Sequence, residues 1–158
     1  MDGFAYAGEA LTGKYFGANN KIGFAKVYRS LFAWGAIMAL TFTLVYALGG
    51  HRFLLLLTNE RDVVAAAQDY FWWAVFIPIV GVSAFIYDGI FIGLTETKGM
   101  LVSSVISAIA FFVFFISLKL LLGNHALWLA FLVYLALRGF IQWILYRNMI
   151  PWSRISSK

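Results

Sequence analysis

Two ionisable residues, Asp88 and Arg138, stand inside otherwise apolar runs of this sequence. Asp88 is flanked by Phe85-Ile86-Tyr87 and Ile90-Phe91-Ile92, seven residues before Thr95, where its helix is expected to end. At 1.5 Å per residue it lies about 10 Å inside that end. A carboxylate in so dry a place is costly, and one that can hold or release a proton there suits coupling to cations. The competing reading is a structural acid neutralised by one fixed partner. Arg138, nine residues before Arg147 near the end of the last expected helix, lies at similar depth and is the candidate partner.

A second constellation lies near the start. Asp2, Tyr6, Glu9 and Gly13 recur at i, i+4, i+7 and i+11, and so share one helical face. Such a polar stripe belongs against protein or a water-filled cavity rather than lipid, which makes Glu9, Asp2 and Tyr6 candidates for lining a cavity. The plainer alternative is that Glu9 only joins a hydrogen-bond network between helices. Pro78 removes one backbone bond, and Gly81 follows three residues later; the pair predicts a helix kink ten residues before Asp88.

Enzymatic chemistry finds little support. His51 and His125 fall in expected outer turns, away from Asp88, and no Ser–His or His–Glu spacing suggests a nucleophile or a metal. The absence of cysteine excludes disulfides, thiolate metal sites and thiol catalysis. No catalytic residue, metal site or cofactor is expected, beyond H+ or Na+ as a coupling ion.

The elements that must position these residues follow from composition. Of 158 residues, 63% are hydrophobic and only 12% charged, against about 25% charged in a soluble domain. Ser30–Gly50, Tyr70–Tyr87 and Gly99–Leu118 contain no charge at all, and about 20 apolar residues suffice to cross the hydrocarbon core as a helix. A soluble enzyme, a nucleic-acid-binding domain and a disordered tail are therefore excluded, and the lipid bilayer is the expected surrounding. The fold class is an all-α, polytopic transmembrane bundle. Its five expected spanning helices cover about 2–18, 24–49, 69–95, 99–122 and 126–147, with a Gly49-Gly50 stop after the second. Short interfacial helices are expected within 52–68, Thr58 capping one of them. Gly13/Gly17, Gly89/Gly93 and Ser103/Ser107 carry the small-xxx-small spacing of closely packed helices. Trp72, Trp73, Trp128, Trp143 and Trp152 lie near expected helix ends, as an aromatic belt requires.

The net charge of +5 is distributed by side rather than as a nucleic-acid patch. Lys14, Lys21, Lys26, Arg29, Lys98, Arg147, Arg154 and Lys158 collect at one side; Arg52, Arg61 and Lys119 remain at the other. The positive-inside rule then places the C-terminus in the cytoplasm and, with five spans, the N-terminus outside. A helix starting at Asp2 would leave its first N–H groups uncapped in the outer leaflet, so the chain is expected to be part of a longer protein.

The runs DGFAYAGEALTGKYFGA (Asp2–Ala18), LLLLTNERDVVAAAQDYFWWAVFIPIVGV (Leu54–Val82), YDGIFIGLTETKGM (Tyr87–Met100) and GNHALWLAFLVYLALRG (Gly123–Gly139) resemble the MATE (multidrug and toxic compound extrusion) transporter family, and look nearest to its DNA-damage-inducible F branch. The resemblance implies helices eight to twelve of a twelve-helix, two-lobed protein of the bacterial inner membrane, lacking helix seven and the N-terminal lobe. It implies export of cationic or amphipathic organic compounds in exchange for protons or sodium ions. It marks Asp88 as similar to a cation-binding acid on the tenth helix of some branches, and sets Asp2 and Glu9 on a helix bordering the central cavity. In other branches the coupling carboxylate lies in the N-terminal lobe. The alternative from another class is a small membrane interaction or scaffold subunit with no transport of its own.

Overall fold

The computed structural model describes residues 2–57 and 61–149, without the side chains of 51–57, 61–63, 65 and 66. Five helices account for nearly all of it: α1 (Asp2–Gly17), α2 (Lys21–Leu57), α3 (Arg61–Gly93), α4 (Thr97–Leu122) and α5 (His125–Met149). Segments Lys21–Gly50, Ala67–Gly93, Thr97–Leu122 and His125–Met149 are long and apolar enough to cross a membrane. At 16 residues, α1 is shorter than the about 20 a full span requires, and it packs against α3.

The expected break after the second helix does not form. The helix passes through Gly49-Gly50 to Leu57, and α3 begins at Arg61, so the segments assigned to short interfacial helices extend the two long ones instead. Two glycines cost a helix only about 1 kcal/mol each, and here one of them serves packing. Gly50 is buried, and a Cβ on it would run into the Phe71 ring of α3. Thr58 lies outside the described residues.

Three turns close the other ends by the same device. Asn19 takes a left-handed φ of 52°, with its N–H on the Phe16 carbonyl and that of Asn20 on Tyr15. This double closure is the usual C-terminal helix cap. The Asn20 side chain then accepts the Gly23 N–H at 2.9 Å and starts α2. Thr95 (φ 60°) repeats the arrangement after α3, with Thr95 and Glu96 donating to Ile92 and Phe91. Gly123 (φ 55°) ends α4 through one bond to Lys119.

The central helix is α3, which packs against α1, α2 and α5; α4 rests mainly on α5. Ile86, Tyr87, Ile90 and Phe91 of α3, with Leu94 just beyond its end, join Phe24 and Leu31 of α2 in the main apolar core. Towards α1 the contact is backbone on backbone. Gly8 faces Gly89 and Gly13 faces Gly93; a Cβ on Gly89 would fall on the Ala5 carbonyl, and one on Gly93 on the Thr12 hydroxyl. Thr12 is fully buried and turns its hydroxyl back to the Gly8 carbonyl at 2.5 Å. The expected Gly13/Gly17 pair is thus half used, since nothing lies within 4 Å of a Cβ on Gly17. On α4, Gly99, Ser103 and Ser107 are buried while Leu101, Val105, Ile109, Phe112, Ile116 and Leu120 are exposed. Small residues inside and large apolar ones outside is the arrangement lipid favours.

The asymmetry between the glycines is testable. Gly89→Ala should destabilise the bundle by about 1–3 kcal/mol through overpacking, whereas Gly17→Ala should stay within about 0.5 kcal/mol of wild type. Thermal unfolding in one detergent decides it, and equal melting temperatures would show that α1 does not rest on α3 at this glycine.

Candidate functional site: a carboxylate clamped between α3 and α5

Close approach of α3 and α5 sets up the site. Gly139 of α5 is buried against α3, and a Cβ there would collide with the Ser83 hydroxyl. One residue before Gly139 stands Arg138; three after it stands Gln142, so the two polar side chains lie one turn apart on the same face. Both reach Asp88. Arg138 Nη2 donates to Asp88 Oδ1 at 2.9 Å and lies 2.9 Å from Oδ2. Gln142 Nε2 donates to Oδ1 at 2.6 Å. The Arg138 and Asp88 side chains retain 19% and 15% exposure, while Gln142 is fully buried.

The structure therefore joins Asp88 to Arg138, the partner expected from equal depth, and adds Gln142, which the sequence reading missed. Its signal was available: a lone amide inside an apolar helix, one turn beyond the arginine. Next to Asp88, the Tyr87 hydroxyl meets that of Tyr28 at 2.8 Å. Tyr28 in turn stacks on Tyr146 with ring centroids 5.0 Å apart and planes 10° from parallel. This α2–α3–α5 tyrosine cluster was not anticipated either.

The stripe on α1 sits elsewhere. Gly8 and Thr12 form the face towards α3, while Ala7, Leu11 and Tyr15 line a groove of about 400 Å³ with α2. Asp2 and Tyr6 lie on the remaining face and are exposed, Tyr6 by 70%; Glu9 is half-buried. Among the described residues no hydrogen bond or ion pair joins Asp2, Tyr6 or Glu9 to the Asp88 cluster. Helix α3 continues through Pro78 and Gly81. The Thr43 hydroxyl of α2 donates to the Val75 carbonyl at 3.1 Å, one residue beyond Ala74, whose carbonyl Pro78 deprives of its helical donor. At the opposite end, the Trp73 indole N–H donates to His125 Nδ1 at 3.0 Å, with the Tyr70 ring 5.0 Å from the imidazole. His125 is thus a docking point between α3 and α5. Among the described residues no group of three His, Cys, Asp or Glu could hold a metal.

The site is thus a buried ion pair between two apolar helices, with glycine-mediated packing around it. The MatE family model matches residues 1–118. The chain belongs to the MatE family. It is also 42% identical over 139 residues to the DNA damage-inducible protein F of Escherichia coli (strain K12), covering 88% of this chain and 30% of that protein. The chain thus spans about a third of the relative's length. No solved structure matches it. In this MatE chain the matched region includes α1 to α3 and Asp88 but stops before Arg138 and Gln142 on α5.

Removing one partner of a buried pair strands the other, which costs about 3–5 kcal/mol, whereas removing both is far milder. Arg138→Leu alone should therefore be much less stable than the Asp88→Leu/Arg138→Leu double variant. A double-mutant cycle on thermal stability measures this, and additive effects would mean that the two charges do not depend on each other.

Proposed function

We propose that the chain is the C-terminal part of a cation-coupled antiporter, exporting cationic or amphipathic organic compounds against H+ or Na+. Its partners in that reading are the N-terminal lobe and the seventh helix of the twelve-helix arrangement, together with the bilayer. The observation that carries the reading is Asp88: one carboxylate held inside a membrane bundle by donors from a different helix. Ionisable residues at such depth are expensive and mark ion and substrate pathways. Family membership and the likeness to the E. coli protein support transport as the activity.

In this reading Asp88 carries the negative charge that cations compete for. Gln142 orients the carboxylate, and Arg138 neutralises it while no other cation is present. The polar face of α1, with Asp2, Tyr6 and Glu9, borders the substrate cavity. The bend expected at Pro78 and Gly81 lets α3 respond to the charge state of Asp88, in a cycle where one bundle rocks against the other. The C-terminus lies at the cytoplasmic face of the inner membrane. That orientation is supported by Lys14, Lys21, Lys26, Arg29, Lys98 and Arg147, which all fall at the ends where α1 and α5 finish and α2 and α4 begin.

Asp88→Asn in the full-length natural chain, reconstituted in liposomes, should cut drug-driven proton or sodium release at least about tenfold, the usual scale of a coupling free energy. The measurement is ion flux on addition of an organic cation. Undiminished coupling would remove Asp88 from the mechanism.

A further inference from the structure

The α3–α5 contact contains two buried polar atoms that nothing satisfies. Arg138 Nε and Gln142 Oε1 have no hydrogen-bond partner among the described residues, although Gln142 is fully buried. A buried amide oxygen without a donor is uncommon and calls for an explanation, an unseen ligand among them. Its position narrows the choice. The same amide holds Asp88 through Nε2, so the unpaired Oε1 belongs to the side chain already bound to that carboxylate. The positive group on Asp88 is Arg138, with Nη2 2.9 Å from each carboxylate oxygen. Its side chain keeps 19% exposure, and a long arginine stem can carry its head outward while remaining packed.

We propose that Arg138 is the resident cation of an exchange site. An incoming monovalent cation displaces its guanidinium from Asp88 and takes the Gln142 amide oxygen as a further ligand. The inference rests on the reading of Asp88 as the coupling carboxylate. Two cations cannot share Asp88, because like charges a few ångströms apart repel strongly in a low-dielectric site. Exchange avoids that conflict and keeps the buried charge balanced: the guanidinium leaves as the cation arrives and returns as it departs. Gln142 stays on the carboxylate throughout and holds it in register with α5. Arg138 is then a positioning residue that sets how tightly an external cation is held, by competing with it.

The full-length natural chain in detergent, titrated with ethidium at fixed pH and salt, tests the exchange by fluorescence. Arg138→Gln removes the competing charge and should tighten ethidium binding about tenfold, while Arg138→Lys, which keeps the charge, should stay near wild type. The gain must vanish in Asp88→Asn/Arg138→Gln. If Arg138→Gln binds no tighter than wild type, the exchange is overturned, whatever Arg138→Lys does. Should Arg138→Gln fail to fold, the double variant, which leaves neither charge stranded, is compared with Asp88→Asn alone. Equal affinities support competition through Asp88, and unequal ones overturn it. Loss of ion coupling in Asp88→Asn without any gain in Arg138→Gln overturns the exchange and leaves the coupling reading standing; intact coupling in Asp88→Asn overturns both.

Discussion

Hydrocarbon offers no hydrogen bonds, so a polar atom carried into the bundle is driven to find a partner on another helix or to bend back onto its own backbone, and few of those described are left without one. This constraint explains most of the specific contacts. Thr12, Ser103 and Ser104 turn their hydroxyls onto carbonyls of the preceding turn. Thr43 reaches across to α3 near Pro78, and Tyr28 and Tyr87 satisfy each other. Asp88 is the extreme case, because a full charge must be met. Arg138 and Gln142 meet it together, and the Gly139 between them lets α5 come near enough to do so. An ion pair of this kind adds little net stability relative to an apolar contact. It fixes which face of α5 meets α3, and it can respond to other charges.

The remaining contacts obey a different rule. Since lipid tails are as apolar as leucine, burying large side chains between helices gains little, and helices associate through close van der Waals approach. The glycines of α1 and α3 meet in that way, and α4 buries Gly99, Ser103 and Ser107 while Leu101, Phe112, Phe114, Leu120 and Leu121 face outward. The α2–α3 interface is the exception, with Phe24 and Leu31 packed on Ile86, Ile90 and Phe91. It forms the one broad apolar core among the described residues, and it lies on the same stretch of α3 as Asp88.

How much of this was legible beforehand depended on the kind of signal. Charge-free runs marked the long spans because the cost of a charge in lipid is large and local. Asp88 and Arg138 stood out for the same reason, and their equal depth followed from counting residues to the helix ends. Gln142 escaped because an amide is less conspicuous than a charge, although once buried it needs partners as much. Gly89 and Gly93 were legible as a pair, but their partners were not. Gly8 and Thr12 match no simple glycine repeat, and only the rotation of α1 about its axis decides that they, rather than Gly17, face α3. The Gly49-Gly50 pair misled for a physical reason. In isolation two glycines weaken a helix, yet Phe71 makes Gly50 the residue that fits there, so tertiary packing overrode local propensity.

The three main interfaces of α3 differ in what could change them. Its contact with α1 is backbone against backbone, and no ligand or proton can alter it without prising the glycines apart. Its contact with α2 is a packed core of apolar rings and branched chains joined by a tyrosine pair and by the Thr43 hydroxyl on the Val75 carbonyl, none of them ionised. Its contact with α5 alone combines a close approach with an ionised pair whose members are not fully enclosed by the bundle. A cation can act on the bundle only where its free energy of binding differs between two arrangements. Of the three interfaces, that condition points to α3 against α5. If the lobe changes shape with its charge state, α1, α2 and α3 should therefore move as one body, and α5, with α4 resting on it, should be the part that shifts.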